Sequence, residues 1–353
     1  MDLKILRSKI DALDSRIVGL VNERAKISVE VGRSKLAAQK AIYAPERERE
    51  VFDRVKSLNK GPMTDSGFEA VYREIMSSSL SLEKPLRIAY LGSEGSNSHI
   101  AARRKFGSQV VYVGVSSIPE VFQRVEANDC DYGVVPIENS VEGAVTHTAD
   151  MLVDSDLLIC AQLMHRITHT LLAKCPLAKI RKVYSNPQVL AQCRNWLLAN
   201  LHPSRVQQIS VGATTDAARL AAKEQYAGAI TSPECAAIYK VPALKENIQD
   251  IAHNMTRFFV IGRQDVHATG RDRTSLVFAI KDRVGALHAM LAPFAKEKIN
   301  LTKIESRPMK KKAWEYYFFV DLEGHKDDTK VRKALSKLEG MCKFLKILGS
   351  YPE

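Results

Sequence analysis

Arg24 stands where a helix would otherwise bury an apolar side chain. From Asp2 to about Gln39 the residues Leu6, Ile10, Leu13, Ile17, Leu20, Ile27 and Val31 recur in alternating steps of four and three. That spacing is the seam of one long helix, and position 24 interrupts it with a guanidinium. A seam arginine needs an anion. Lys35 follows about three turns later on nearly the same face, roughly 16 Å away, so the two long side chains can flank one small ligand. Arg7 precedes Lys35 by roughly 42 Å of helix and reaches that ligand only from an antiparallel second copy. Singly, each cation fits an ordinary solvated or salt-bridged role. Together they are less easily dismissed as unrelated surface charges, because they can flank one small anion.

A second group of residues is of another kind. Tyr90-Leu-Gly-Ser-Glu-Gly-Ser-Asn-Ser-His99, Val134-Val-Pro-Ile-Glu-Asn-Ser-Val-Glu-Gly143, Tyr184-Ser-Asn-Pro-Gln188 and Asn254-Met-Thr-Arg-Phe-Phe259 each follow or end a strand-like run. Glycine, hydroxyl and amide residues at such junctions present N–H and O–H donors to an anion. Gly92-x-x-Gly95 is not a dinucleotide fingerprint, because the third glycine and a later ribose-binding acid are missing. Further on, Asp282-Arg-Val-Gly285-Ala286-Leu287-His288 opens a helix and Glu305-Ser306-Arg307-Pro308 lies near the end of the next strand. Gly285 and Ala286 leave room at a helix N-terminus, and Glu305 suits an ammonium group.

The elements that must position these residues fall into three blocks. Pro45, with Glu46 and Glu48 behind it, starts a second helix, and a third runs from about Asp65 to Leu82. Three helices cannot bury the seam of the first internally, so a second copy is expected. After Glu83-Lys84-Pro85 the pattern becomes α/β, with strands at Arg87 to Gly92, Val110 to Val113 and Tyr132 to Pro136, and a helix from Pro119 to Asn128. Beyond a joint at Gly270 to Arg273 the order is strand (Thr274 to Lys281), helix (Gly285 to Glu297), two strands (around Lys303 to Arg307 and Trp314 to Leu322), helix (Asp327 to Glu339) and strand (Phe344 to Leu348). This is the βαββαβ order of a ferredoxin-like α+β unit.

Bulk properties agree with several ordered domains. The chain has 353 residues, 45% hydrophobic and 26% charged, with a net charge of +12 that favours anionic partners. Its six cysteines form no C-x-x-C pair or His-Cys cluster, so no metal or cofactor is expected. Neither a basic and apolar leader nor an apolar run of the ~20 residues that span a membrane is present, which makes the cytoplasm the expected compartment and a membrane partner unexpected.

Residues 1–84 resemble the all-helical class of chorismate mutase at Leu6-Arg7, Leu13-Asp14, Glu23-Arg24, Val31-Gly32-Arg33-Ser34-Lys35 and Pro45-Glu46-Arg47-Glu48. The resemblance implies an intertwined homodimer, or a higher homo-oligomer, in which Arg24 and Arg7 from a second copy clamp the carboxylates of chorismate. Lys35 then faces the ether oxygen, Glu48 accepts from the ring hydroxyl, Arg47 helps to orient Glu48, and Ser79 and Glu83 close the site. Ala44 stands where some members carry a charged side chain. Glu83 stands where others carry glutamine, so to donate a hydrogen bond it must be protonated.

Residues 85–266 resemble prephenate dehydratase, above all at Pro136-Ile137-Glu138-Asn139-Ser140 and Thr256-Arg257-Phe258. This implies two α/β subdomains of the type II periplasmic-binding kind, a site in the cleft between them, Thr256 as donor to the leaving oxygen and Arg257 holding a carboxylate. Ser96-Asn97 and Asn186 depart from the family pattern, the latter replacing a histidine. Residues 273–353 resemble the ACT regulatory domain, which implies phenylalanine bound by Gly285, Ala286, Leu287, His288, Glu305, Ser306 and Arg307 and feedback on the dehydratase. Competing readings are a regulated mutase with an impaired dehydratase domain and a transcriptional regulator. The latter fails locally, since residues 2–39 hold no sharp turn for a helix-turn-helix, and no nucleic-acid partner is expected.

Overall fold

The computed structural model describes residues 2–280, 283–309 and 315–353; Lys281, Asp282 and Trp314, which the sequence places in a strand or motif, lie outside them. The chain divides into two compact units: Met1–Arg87 with Lys105–Val111, and Ile88–Arg104 with Tyr112–Glu353.

Three helices build the first unit: α1 (Leu3–Ala37), α2 (Pro45–Leu58) and α3 (Asp65–Glu83). Asp2 caps α1 by accepting from the Lys4 amide, Pro45 occupies the first turn of α2, and Thr64 caps α3 by accepting from the Gly67 amide. The seam of α1 stays open in a single chain, its residues from Leu6 to Val31 being 39% to 62% exposed. Only near its end does α1 meet α3 closely. Gly32 is buried there, and a Cβ on it would lie 2.8 Å from Glu83 Cβ.

The second unit begins with an α/β lobe of β1 (Arg87–Leu91), α4 (Asn97–Phe106), β2 (Val111–Val115), α5 (Ile118–Glu126), β3 (Tyr132–Asn139), β4 (Gly143–Ala144), α6 (Thr146–Asp154) and β5 (Leu158–Arg166). A second lobe follows: β6 (Thr170–Ala173), β7 (Lys182–Ser185), α7 (Pro187–Gln192), α8 (Arg194–Asn200), β8 (Gln207–Ser210), α9 (Thr214–Ala221), β9 (Ala227–Thr231), α10 (Cys235–Tyr239) and β10 (Ala243–Lys245). The chain then returns. β11 (Met255–Gly262) inserts between β3 and β5, antiparallel to both, giving the order β2-β1-β3-β11-β5 in the first sheet and β10-β6-β9-β7-β8 in the second. This double crossing is the periplasmic-binding-like arrangement. Nearly every residue of β11 is buried, which accounts for its unbroken apolar run from Phe258 to Ile261.

The last part is β12 (Asp272–Ala279), α11 (Ala286–Lys296), β13 (Leu301–Pro308), β14 (Tyr316–Glu323), α12 (Thr329–Glu339) and β15 (Phe344–Pro352), with sheet order β13-β14-β12-β15. Strand alternation gives this sheet two uses. Leu276, Phe278, Val320 and Leu322 pack with Met290, Phe294, Val331 and Leu335 of the helices. Val277, Phe319, Leu348 and Tyr351 of the opposite face join Ile159, Phe259 and Ile261 in the core of the first lobe.

Where β15 passes β5, Gly349 has φ 152° and its Cβ position lies 2.8 Å from the Ile159 nitrogen and overlaps the Ile159 carbonyl oxygen. Gly349→Ala is therefore expected to cost about 2 kcal/mol or more by forcing the two strands apart. Thermal unfolding monitored by circular dichroism checks this; an unchanged midpoint would show that the strands separate freely.

Candidate active sites

In the helical unit a cavity of about 460 Å³ is bordered by Arg24 and Lys35 of α1, Arg47 and Glu48 of α2, and Ser79 and Glu83 of α3. Arg7 is not among its lining residues and precedes Arg24 by roughly 26 Å of helix. Arg24 Nη1 donates to Ser79 Oγ at 2.7 Å, and that hydroxyl donates to the Ile75 carbonyl at 2.9 Å, which fixes the guanidinium against α3. Lys35 Nζ donates to the Ile42 carbonyl at 2.5 Å and lies 3.5 Å from Glu83 Oε2.

The Glu83 side chain is 7% exposed, and its Oε2 has no hydrogen-bond partner among the described residues. Burial pushes this carboxyl up from the usual range, and the nearby cations Lys35 and Arg24 only partly offset it. The close approach at Gly32 is what places Glu83 at this depth. Glu48 accepts from Tyr43 at 3.0 Å and from Lys105 at 2.5 Å. Arg47, by contrast, is mostly exposed and bonds Glu50 at 2.6 Å. The expectation that Arg47 orients Glu48 is thus corrected: Tyr43 and Lys105 do so, and neither has a helical-spacing cue that would single it out in the sequence. The site offers cations, a hydroxyl and a carboxyl whose pKa burial raises, a set suited to stabilising charge rather than to covalent catalysis.

In the second unit, the register of β11 sets Thr256 opposite Asn139 of β3 and opposite His165 of β5. Residues directly opposite share a face, so these three form a row across the sheet. Asn139 Nδ2 donates to Thr256 Oγ1 at 2.8 Å and to Asn254 Oδ1 at 2.7 Å, while its Oδ1 accepts from the Val141 and Glu142 amides. Accepting from Asn139 with one lone pair orients the Thr256 hydroxyl and does not use its own proton. Ser140 accepts from the Met255 amide at 2.9 Å and donates to the His253 carbonyl, tying the two strands together beside the row. Asn186 caps α7, accepting from the Gln188 amide and donating to the Gly212 carbonyl, both at 3.0 Å.

Three expectations change here. Arg257 and Glu138 point to the face opposite Thr256. The Arg257 side chain is 3% exposed and engaged by Asp321 at 2.5 Å, Glu138 at 3.3 Å, Gln162 at 2.9 Å and Tyr351 at 3.0 Å, so it is not free to hold a substrate carboxylate. Phe258 is a core residue, 1% exposed, its ring 6.3 Å from that of His165.

His165 shares this row with Thr256, and nothing in the sequence singled it out. Its Nδ1 is buried without a partner, and burial together with Arg104 pushes the imidazole down to about 4, leaving it neutral near pH 7. It borders a cavity of about 200 Å³ with Arg104, Thr168 and Ser232. A lone histidine in a strand carries no motif, and only its pairing with Thr256 gives it meaning.

In the C-terminal sheet, Ala279 pairs with Tyr317 and Tyr317 with Arg307, so the start of α11 and the Glu305 to Pro308 string lie at the same end. Gly285 caps α11 with φ +77°, Ala286 is buried, and Leu287 and His288 are exposed. Glu305 and Arg307 alternate with Ser306, which is exposed. Arg307 bonds Asp150 at 2.9 Å and donates to the Thr146 carbonyl, so the guanidinium expected at an effector is instead held by the first lobe. Among the described residues, no cluster of three or more His, Cys, Asp and Glu side chains suits a metal ion, and no helix is long and apolar enough to cross a membrane.

Family models match three consecutive stretches: chorismate mutase type II over residues 6–84, prephenate dehydratase over 88–266 and the ACT domain over 274–340. The chain is 47% identical over 357 residues to a bifunctional chorismate mutase/prephenate dehydratase of Aquifex aeolicus, covering 100% of this chain and 98% of the relative. It is 43% identical to the protein so named from Stutzerimonas stutzeri, covering 99% and 98%. Among solved structures, the prephenate dehydratase from Arthrobacter aurescens in complex with L-Phe superposes with a TM-score of 0.70 at 30% identity, over 76% of this chain and 90% of that one. With all three stretches matched in order and relatives aligned end to end, the chain belongs to the bifunctional chorismate mutase/prephenate dehydratase family.

Proposed function

We propose that this chain rearranges chorismate to prephenate in its helical unit, converts prephenate to phenylpyruvate in the α/β unit, and is restrained by phenylalanine acting on the C-terminal domain. The observation that carries the reading is the helical cavity, in which Arg24 and Lys35 face a buried, protonatable Glu83. A Claisen rearrangement needs that set. Arg24 and Arg7 from a second copy hold the two carboxylates in a compact conformer, and Lys35 and protonated Glu83 donate to the ether oxygen as its C–O bond breaks. The open apolar seam of α1 supports a dimer, because among the described residues it stays largely exposed in one chain.

In the second reaction, the electron pair of the ring carboxylate's C–C bond flows into the ring as CO2 leaves. The ring C–O bond breaks on the far side, and the departing oxygen takes a proton. Thr256, positioned by Asn139, donates to that oxygen. Asn186 is fully engaged as a helix cap, so its replacement of a histidine removes a charge and keeps the fold. Neither step calls for a cofactor, and a cytoplasmic location fits these soluble substrates. The L-Phe in the Arthrobacter aurescens structure supports phenylalanine as effector.

Purified protein supplied with chorismate alone is expected to form phenylpyruvate. Thr256→Val should stop the sequence at prephenate, lowering dehydratase kcat by about 100-fold or more while leaving mutase turnover intact. Accumulation of prephenate by the wild-type chain would instead favour a regulated mutase with an impaired second domain.

The mutase pH profile tests Glu83. Its raised carboxyl is active when protonated, so turnover should be greatest below that raised value and decline as pH rises through it, whereas Glu83→Gln should be flat over the same range. Identical profile shapes would remove Glu83 from the reaction.

Arg7→Ala and Arg24→Ala should each be nearly inactive as mutases. Mixing and refolding the two should restore activity, because a mixed dimer has one site with both arginines; no recovery would argue against sharing of the site between copies.

A further inference from the structure

Arg257 closes a chain of buried and partly buried charges that neither reaction above employs. One branch runs from its guanidinium to Asp321 of β14 at 2.5 Å. Asp321 also accepts from Ser275 at 2.5 Å, and Ser275 lies 2.6 Å from the Tyr351 hydroxyl that receives Arg257 Nη2. The other branch runs from Arg257 to Glu138, whose Oε2 is 2.5 Å from Lys303 Nζ of β13, and Lys303 lies 3.3 Å from Glu305. Glu138 immediately precedes Asn139, and Arg257 immediately follows Thr256. Both members of the amide–hydroxyl pair on the cleft face are therefore anchored, one residue away, by groups that grip the C-terminal sheet.

Two features of the cluster suggest a ligand's part in it. Among the described residues its two cations, Arg257 and Lys303, face three carboxylates, Glu138, Asp321 and Glu305, one more than they can pair singly. Lys303 is shared unequally between Glu138 and Glu305, and both border the same cavity of about 430 Å³, which also reaches Asn139. An ammonium group is a cation that could take over Glu305. Lys303 would then bond Glu138 alone.

We propose that Asp321 and Lys303 are positioning residues for dehydration, and that Lys303 carries the effector's influence: an amino-acid ammonium at Glu305 releases Lys303 to Glu138 and displaces Asn139 and Thr256 from their productive geometry. This rests on the reading of the C-terminal domain as a phenylalanine sensor. It makes the coupling a competition between two carboxylates for one lysine, and shifts of a few tenths of an ångström in a short strand suffice to misplace a donor.

The test uses the full chain, with mutase activity as the internal check on folding. Lys303→Met is expected to lower dehydratase kcat by about tenfold with KM for prephenate within about twofold, and to raise the phenylalanine concentration for half inhibition by about tenfold or more, while calorimetry still detects phenylalanine binding. Lys303→Arg should recover both properties. Asp321→Asn should lower kcat and keep inhibition; if it fails to fold, Lys303→Met, whose side chain is near the surface, still decides. Normal kcat and normal inhibition in Lys303→Met overturn the proposal and leave the sensor reading intact. A wild-type chain that neither binds nor responds to phenylalanine removes the sensor reading and the coupling together, and the kcat of Lys303→Met alone then decides the positioning role.

Discussion

The alternation of side chains along β11 is the constraint from which the second unit takes its form. Thr256 and Arg257 are neighbours in sequence and occupy opposite faces of the sheet, one toward Asn139 and one toward the C-terminal domain. Neither face could be altered alone. A guanidinium 3% exposed must keep its carboxylate partners, since a buried charge without them costs several kcal/mol. The register this enforces against β3 and β5 is what aligns Asn139, Thr256 and His165. The shared core of Phe259, Ile261, Phe319 and Tyr351 then packs the two sheets against each other.

The helical unit meets a different constraint, that of too little chain to cover its own seam. Apolar residues of α1 lie open along most of its length, and burial is achieved only where Gly32 lets α3 approach. That single close contact drives a carboxylate out of water beside a lysine. Desolvation wins over the 3.5 Å attraction because Lys35 spends its best hydrogen bond on the Ile42 carbonyl, leaving Glu83 with charge nearby and no donor in contact. A buried carboxyl held above the usual carboxylate range is thus a by-product of how the helices pack.

Much of this was legible in the sequence, and what was not has identifiable physical reasons. The periodicity of α1 and the placement of Arg24 on its seam were readable because a helix face repeats locally. The order of strands and helices in all three blocks was likewise local information. Which face of β11 carries Arg257 was not, since a strand buried on both sides shows an unbroken apolar run with no polar side to orient it. The partners of Arg257 and Arg307 are Asp321 and Asp150, dozens of residues or more away, and no spacing rule links them. Glu48 was found through its motif, but Lys105, which holds it, comes from a helix of the following block. His165 gained significance only from cross-strand register.

The removal of Arg257 from the cleft also makes chemical sense. Prephenate must surrender its ring carboxylate as neutral CO2, so a guanidinium paired to that group would stabilise the ground state more than the transition state and slow the reaction. What the transition state needs is help at the oxygen, where charge accumulates as the C–O bond opens. Under the proposed function, the Thr256 hydroxyl, held by Asn139, would supply a directed donor there without adding a fixed positive charge beside the carboxylate. In the mutase both carboxylates survive, and a cavity bordered by cations carries no such penalty. The contrast between a cationic first site and a hydroxyl–amide row in the second follows from the fate of one carboxylate.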